Sequence, residues 1–210
     1  MAPDCLVRFV FGATSHFDKV MGVDMIISKI SRVIKRFAGE HEGATAVEFA
    51  LIMPLLLLLY LGTVEGSRAI SYDRRLTTIA ASLGDLVARS DTTITQTNLS
   101  DYFLAAEAII TPYAAVGLKQ VVTSVFVDAA GAATVSWSQG YNGGVAHNVD
   151  DVYVLPTELT SIALNGYVVV SEAFMTYDPI TTYVFPSSLQ LYKEYFHLPR
   201  FGEEIQLVAG

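Results

Sequence analysis

Between Ala44 and Val64 the chain runs for 21 residues with a single charge, Glu48. At about 1.5 Å of rise per residue, such a run in helical form crosses a hydrocarbon core of roughly 30 Å. The sequence therefore predicts one transmembrane helix over residues 44–64, with Pro54 accommodated as a kink. Its flanks orient it. Lys29, Arg32, Lys35 and Arg36 outnumber Glu40 and Glu42 ahead of the run, whereas from Asp91 onward twelve acids face three bases, Lys119, Lys193 and Arg200. By the positive-inside rule residues 1–43 form a cytoplasmic basic leader, and the chain beyond the span lies on the other side of the membrane. A cleaved secretory signal has a shorter apolar core and small residues in an A-x-A arrangement, neither of which precedes Glu65-Gly66-Ser67-Arg68. Residues 1–24 differ in character from the rest of the leader, and translation is expected to start at Met25 or Met21.

Composition constrains the chain beyond the span. Hydrophobic residues make up 52% of the 210, which excludes wholesale disorder, and the remainder of the chain is long enough for one domain. A net charge of −8 argues against nucleic acid as a partner. The only cysteine, Cys5, leaves no intrachain disulfide and no cysteine-based zinc site.

Glu48 sits one helical turn into the run, where an ionisable group costs less than the roughly 2.5–3.5 kcal/mol charged at the bilayer centre but is still unfavourable. One reading is an interfacial acid that reaches the headgroups or carries a proton. The other starts from Gly43, which is followed by four uncharged residues and then Glu48-Phe49, with a basic leader ahead and an unbroken apolar run behind. This arrangement resembles the processing site of the type IV pilin superfamily, in which a prepilin peptidase cuts after the glycine on the cytoplasmic face. The resemblance makes Gly43, Ala44, Glu48 and Phe49 the processing site and Glu48 the fifth residue of the mature chain. A freed α-amino group on Ala44, largely protonated at neutral pH, can pair with the Glu48 carboxylate of a neighbouring subunit or with its own one turn away. Such a pair adds little net stability but fixes the axial stagger of subunits. Ala44 and Glu48 are thereby implied as register residues.

The longer stretch from Arg36 to Ala88, with Gly-Ala-Thr-Ala-Val-Glu-Phe, Pro54 before a leucine run, and Glu65 and Arg68 just behind it, narrows the likeness. It resembles the N-terminal region of TadE-like proteins, minor pseudopilins of the tight-adherence (Flp) type IVb pilus assembly system. Major Flp pilins are very short and usually carry Glu-Tyr where this chain has Glu48-Phe49. The implied function is a minor pseudopilin, processed by the prepilin peptidase, acting in initiation, capping or priming of adhesive pili. The implied partners are that peptidase, other pseudopilins, the pilin and the lipid bilayer. The implied location is the inner membrane, single-pass, with a periplasmic head. The rival reading is an uncleaved, signal-anchored periplasmic sensor or binding module.

Beyond the span, Leu76, Ile79, Leu83, Leu86 and Val87 recur at helical spacing, so residues 65–89 are expected to continue the helix, with a break possible near Gly66. The alternative is a membrane helix joined to an unrelated domain helix. Leu99–Ala115 suits a second helix, capped by Asn98 or Ser100, with Tyr102, Ala106, Ile109, Ile110 and Tyr113 inward. Gln120–Asp128 and Ala133–Gln139 read as a hairpin, Gly140 to Gly144 as a mobile loop, and Tyr167–Tyr177 as a further strand. Residues 90–210 are thus an expected α+β head: a pilin-like long helix packed on a small antiparallel sheet with a second helix.

Enzyme signatures do not occur: no H-E-x-x-H, G-x-S-x-G, P-loop or G-x-G-x-x-G. The expectation is a protein that is not an enzyme, without cofactor, metal or small-molecule substrate. His147, Asp150 and Asp151 form one cluster able in principle to hold a cation, although a polar loop yields such clusters by chance. Tyr177, Tyr183, Phe185, Tyr192, Tyr195, Phe196 and Phe201 crowd the end of the chain. They are either core and strand residues or a docking patch, and Tyr195, Phe196, Pro199, Arg200 and Phe201 are the candidate interface. Pro199-Arg200-Phe201-Gly202 also resembles endings seen in TadE-like proteins.

Overall fold

A computed structural model describes residues 28–33, 41–181 and 186–209. The proposed start sites Met21 and Met25 lie outside these residues, as do Tyr183 and Phe185. Residues 28–33 are helical. Helix α1 comes next (His41–Ala88), and the described chain divides between Leu59 and Tyr60 into two units.

In the first unit α1 is apolar and unburied: Phe49, Leu51, Ile52 and Leu55 to Leu59 are all more than half exposed. Among the described residues α1 is the one helix long and apolar enough to cross a membrane, and protein covers none of its most apolar stretch. It fits a single-pass membrane anchor. Pro54 is inside the helix, and no break occurs at Gly66: the helix runs through Gly62, Gly66 and Gly84. Helix hydrogen bonding carries it past Gly62 and Gly66, whose missing side chains leave open space.

In the second unit the same helix becomes amphipathic. Leu76, Ile79, Ala80, Leu83 and Val87, three and four residues apart, are wholly buried, while Leu86 is only half-buried. They pack with helix α2 (Gln96–Glu107), whose Leu99, Phe103 and Ala106 are buried, against one face of a sheet. The α2 cap is Thr95, whose hydroxyl accepts from the Asn98 N–H at 3.1 Å, rather than Asn98 or Ser100. The helix also ends earlier than its periodicity suggests, tightening into a 3₁₀ turn at Ala108–Ile110. Thr111 must be extended because Pro112 follows it, which stops the helix. Of the expected inward positions Ala106 and Ile110 are buried, and Tyr102, Ile109 and Tyr113 cover the core from its rim.

The remaining elements are strands β1 (Thr93–Thr95), β2 (Lys119–Val127), β3 (Ala133–Tyr141), β4 (Gly166–Tyr177), β5 (Leu189–His197) and β6 (Gln206–Val208), with a short helix α3 (Thr157–Ile162) before β4. Four make an antiparallel sheet in the order β3-β2-β4-β5, and β1 and β6 pair in parallel as a separate two-stranded sheet. The fold is α+β, with more sheet than the sequence suggests. β4 is central and buried on both faces: Val169, Ala173 and Met175 face the helices, and Val168 and Val170 join a second cluster with Tyr153, Leu155 and Leu159. The stretch read as a mobile loop is a tight turn. A Cβ on Gly140 would stand 2.0 Å from the Gly144 carbonyl oxygen, and one on Gly144 2.3 Å from that of Gln120. Asn142, at φ 52°, ties the turn down by donating to the Leu118 carbonyl at 2.7 Å.

Candidate functional site

Gly43, Ala44, Glu48 and Phe49 all lie in the first turns of α1. Glu48 is exposed and Phe49 is 59% exposed, and Glu48 stands in an otherwise apolar helical surface. Among the described residues no protein group balances this carboxylate, so in lipid it needs a proton, a headgroup or another subunit's cation.

Further along α1, chemistry concentrates where the helix meets the head. Glu65, directly behind the apolar run, is only 2% exposed. Its carboxylate accepts from the Tyr177 hydroxyl at 2.7 Å and from the Thr181 N–H at 3.0 Å. Burial, then donation to Glu65, pushes the Tyr177 phenol up to about 12. Farther along the helix, the Arg75 guanidinium donates to the carbonyls of Ile109 and Thr111 and lies over the Tyr113 ring. At Gly84 the helix approaches the sheet more closely than any side chain permits: a Cβ there would stand 2.4 Å from His197 Nδ1 and 2.6 Å from Ser171 Oγ. Ser171, on β4, donates across the gap to the Ala80 carbonyl at 2.7 Å. His197 Nδ1 is buried and finds no hydrogen-bond partner among the described residues. Burial holds this imidazole below its ordinary value, with Asp85 pulling the other way.

The C-terminal segment closes this contact. The Arg200 N–H donates to the Ala88 carbonyl at 3.0 Å, satisfying one of the open carbonyls at the end of α1, while its guanidinium meets Asp85. Asp85 also pairs with Arg89. Ile205 is buried in the core, and its carbonyl accepts from Trp137 Nε1 at 2.6 Å. The five candidate interface residues thus part company. Pro199 is buried, Phe196 packs on the second cluster, Arg200 caps the helix, and Tyr195 (37%) and Phe201 (63%) are exposed. Within the aromatic set Tyr177 is core, and Tyr192, 47% exposed, lies on the outer sheet face.

His147, Asp150 and Asp151 do not converge. His147 Nε2 turns to Glu172 at 2.7 Å, and Asp151 accepts from the Asn148 amide. Glu172, 5% exposed, also accepts from Tyr192, and its cross-strand neighbour Glu194 accepts from Tyr153 at 2.6 Å. Two carboxylates directly opposite each other repel; the contacts from His147, Tyr153 and Tyr192 offset that, and those of His147 and Tyr153 pin the 145–155 segment to the sheet. Glu172, Ser171 and His197 escaped the sequence reading. The signal that could have found the first two is a Ser-Glu pair interrupting the apolar run from Val168 to Phe174.

No curated protein and no solved structure matches the chain. A family model described as TadE-like protein matches residues 43–83, the part of α1 that carries Gly43, Glu48, Glu65, Arg68 and most of the helix's core-facing positions; over these residues the chain is similar to TadE-like proteins.

Proposed function

We propose that the protein is a minor pseudopilin of the Flp/Tad pilus assembly system, cut after Gly43 by the prepilin peptidase, and that it initiates, caps or primes adhesive pili. The observation that carries this reading is that the TadE-like match falls on one helix whose start holds Gly43 and, one turn on, Glu48 in an exposed apolar surface that includes Val47, Phe49 and Leu51. The anchor belongs in the inner membrane, with the leader cytoplasmic and the head periplasmic, in keeping with the charge asymmetry. Its partners are the peptidase, other pseudopilins and the pilin, with Ala44 and Glu48 setting subunit stagger. The role is structural rather than catalytic.

The test is the intact mass and N-terminal sequence of the membrane-extracted protein from cells with and without their prepilin peptidase. A start at Ala44 that depends on the peptidase is expected. A start at Met1, Met21 or Met25 in both strains would instead make the chain an uncleaved anchored sensor or binding module. In the same cells Glu48→Gln should leave membrane insertion intact and reduce piliation, and normal piliation would remove Glu48 from any assembly role.

A further inference from the structure

The two edges of the four-stranded sheet are protected differently. On the β5 edge stand Lys193 and Glu194, charged residues of the kind that native edge strands carry against unwanted pairing. The β3 edge is covered instead by residues 150–153: Val135 donates to the Asp151 carbonyl at 3.0 Å, Tyr153 donates to that of Ala133 at 2.9 Å, and Val152 lies opposite Thr134. That covering segment becomes an edge in its turn. In an extended chain side chains alternate, and Tyr153 and Leu155 point in to the second core cluster. Val152 and Val154 point out, 77% and 86% exposed, and Val149 beside them is 58% exposed. Among the described residues the N–H and C=O groups of Val152 and Val154 have no backbone partner. This edge therefore joins free ladder groups to exposed β-branched side chains, with no lysine or proline until Pro156 ends it. Its flanking charges, Asp150 and Asp151, are both acidic and exposed, on a head with twelve acids to three bases from Asp91 onward.

We propose that residues 151–154, which run extended after a turn at Val149-Asp150, are a docking strand for an extended, β-branched segment of another protein that carries lysine or arginine beside its apolar residues. The backbone groups of Val152 and Val154 take the partner's main chain, the two valines take its apolar side chains, and Asp150 and Asp151 select its charge. The inference is independent of the pilus assignment, since it concerns only the outer edge of the head.

The test uses the full chain in neutral detergent micelles and a fluorescent peptide of alternating valine and lysine, about six residues long, the length of an ordinary strand. Saturable binding is expected. It should weaken by about tenfold or more, the effect of losing an anchoring contact, when the peptide's central valine becomes proline or the protein carries Val152→Asn with Val154→Asn. Asp150→Asn with Asp151→Asn should weaken the lysine peptide and leave a serine-for-lysine version unaffected. Both valines are exposed, so the emission of Trp137 should report an unchanged fold in each variant. Binding indifferent to the proline and to the valine changes would mean bulk charge attraction and overturn the proposal. So would equal binding of a glutamate-for-lysine peptide. Self-association of the wild-type chain that the valine changes abolish would show a second copy to be the occupant, and would overturn it as well.

Discussion

Gly84 shows how one residue decides the distance between helix and sheet. Replacing a mid-helix glycine with alanine ordinarily stabilises by about 1 kcal/mol through backbone entropy. Here the new Cβ would meet His197 Nδ1 and Ser171 Oγ at 2.4 and 2.6 Å, and Ser171 is held by its bond to the Ala80 carbonyl. Overpacking of this kind costs about 1–3 kcal/mol, so the clash should win. Gly84→Ala is expected to lower the unfolding midpoint in urea, and a raised midpoint would show that β5 yields freely. His197 adds a pH dependence at the same contact. Its folded value lies below the ordinary one, so between the two the unfolded chain takes up a proton that the folded chain refuses. The contribution is fully present above about pH 6.5 and is lost as pH falls through the folded value. Urea melts at pH 7.5 and 5.5 should show a larger loss for the wild type than for His197→Gln; equal losses would assign the pH dependence elsewhere.

At the scale of elements, the C-terminal segment serves the fold before any partner. Pro199 to Val208 supplies a cap to α1, a buried side chain at Ile205, an acceptor for Trp137 and the β6 strand beside β1. Truncation after Leu198 is therefore expected to expose the chain's single tryptophan, seen as a red-shifted emission, and to make the head protease-sensitive. A truncated head with native emission that no longer associates with proteins of the Tad pilus machinery would instead favour docking as the segment's main role. The same element carries both kinds of residue, since Ile205 is buried while Phe201 projects into solvent.

At the scale of the whole molecule, α1 fits a membrane anchor in its first part and supplies core in its second. Burial of Leu76, Ile79, Leu83 and Val87 contributes about 6–12 kcal/mol in total. That matches the entire net stability of a typical domain, about 5–15 kcal/mol. A soluble fragment of residues 65–210 should fold, with cooperative unfolding and native tryptophan emission. A fragment of residues 90–210 should not, because the helix-facing side of β4 would be left bare. Cooperative unfolding of the shorter fragment would show that the sheet holds its own core and that α1 is only a tether.

Much of this organisation is legible in the sequence because local physics fixes it. A run of 21 residues with one charge states an anchor, the three-and-four spacing from Leu76 to Val87 states a buried helix face, and Val168 to Val170 states a strand. Even so, β5 escapes such reading, since Leu189 to His197 sets the adjacent charges Lys193 and Glu194 among Tyr192, Tyr195 and Phe196 without a two-residue period and looks equally like surface. The β1–β6 pair escapes it because three-residue strands far apart in sequence leave no periodic signal. Distance along the chain hides the site contacts as well: Glu65 meets Tyr177, Gly84 meets His197, and His147 chooses Glu172 over the nearer Asp150 and Asp151. Sequence alone determined the apolar run of 44–64, the acid within it and the buried helix face from Leu76 to Val87, because hydrophobic periodicity and charge act within a few turns. Only the tertiary structure decided which polar groups neutralise one another and which edge of the sheet stays open, because those choices depend on chain segments that only folding brings together.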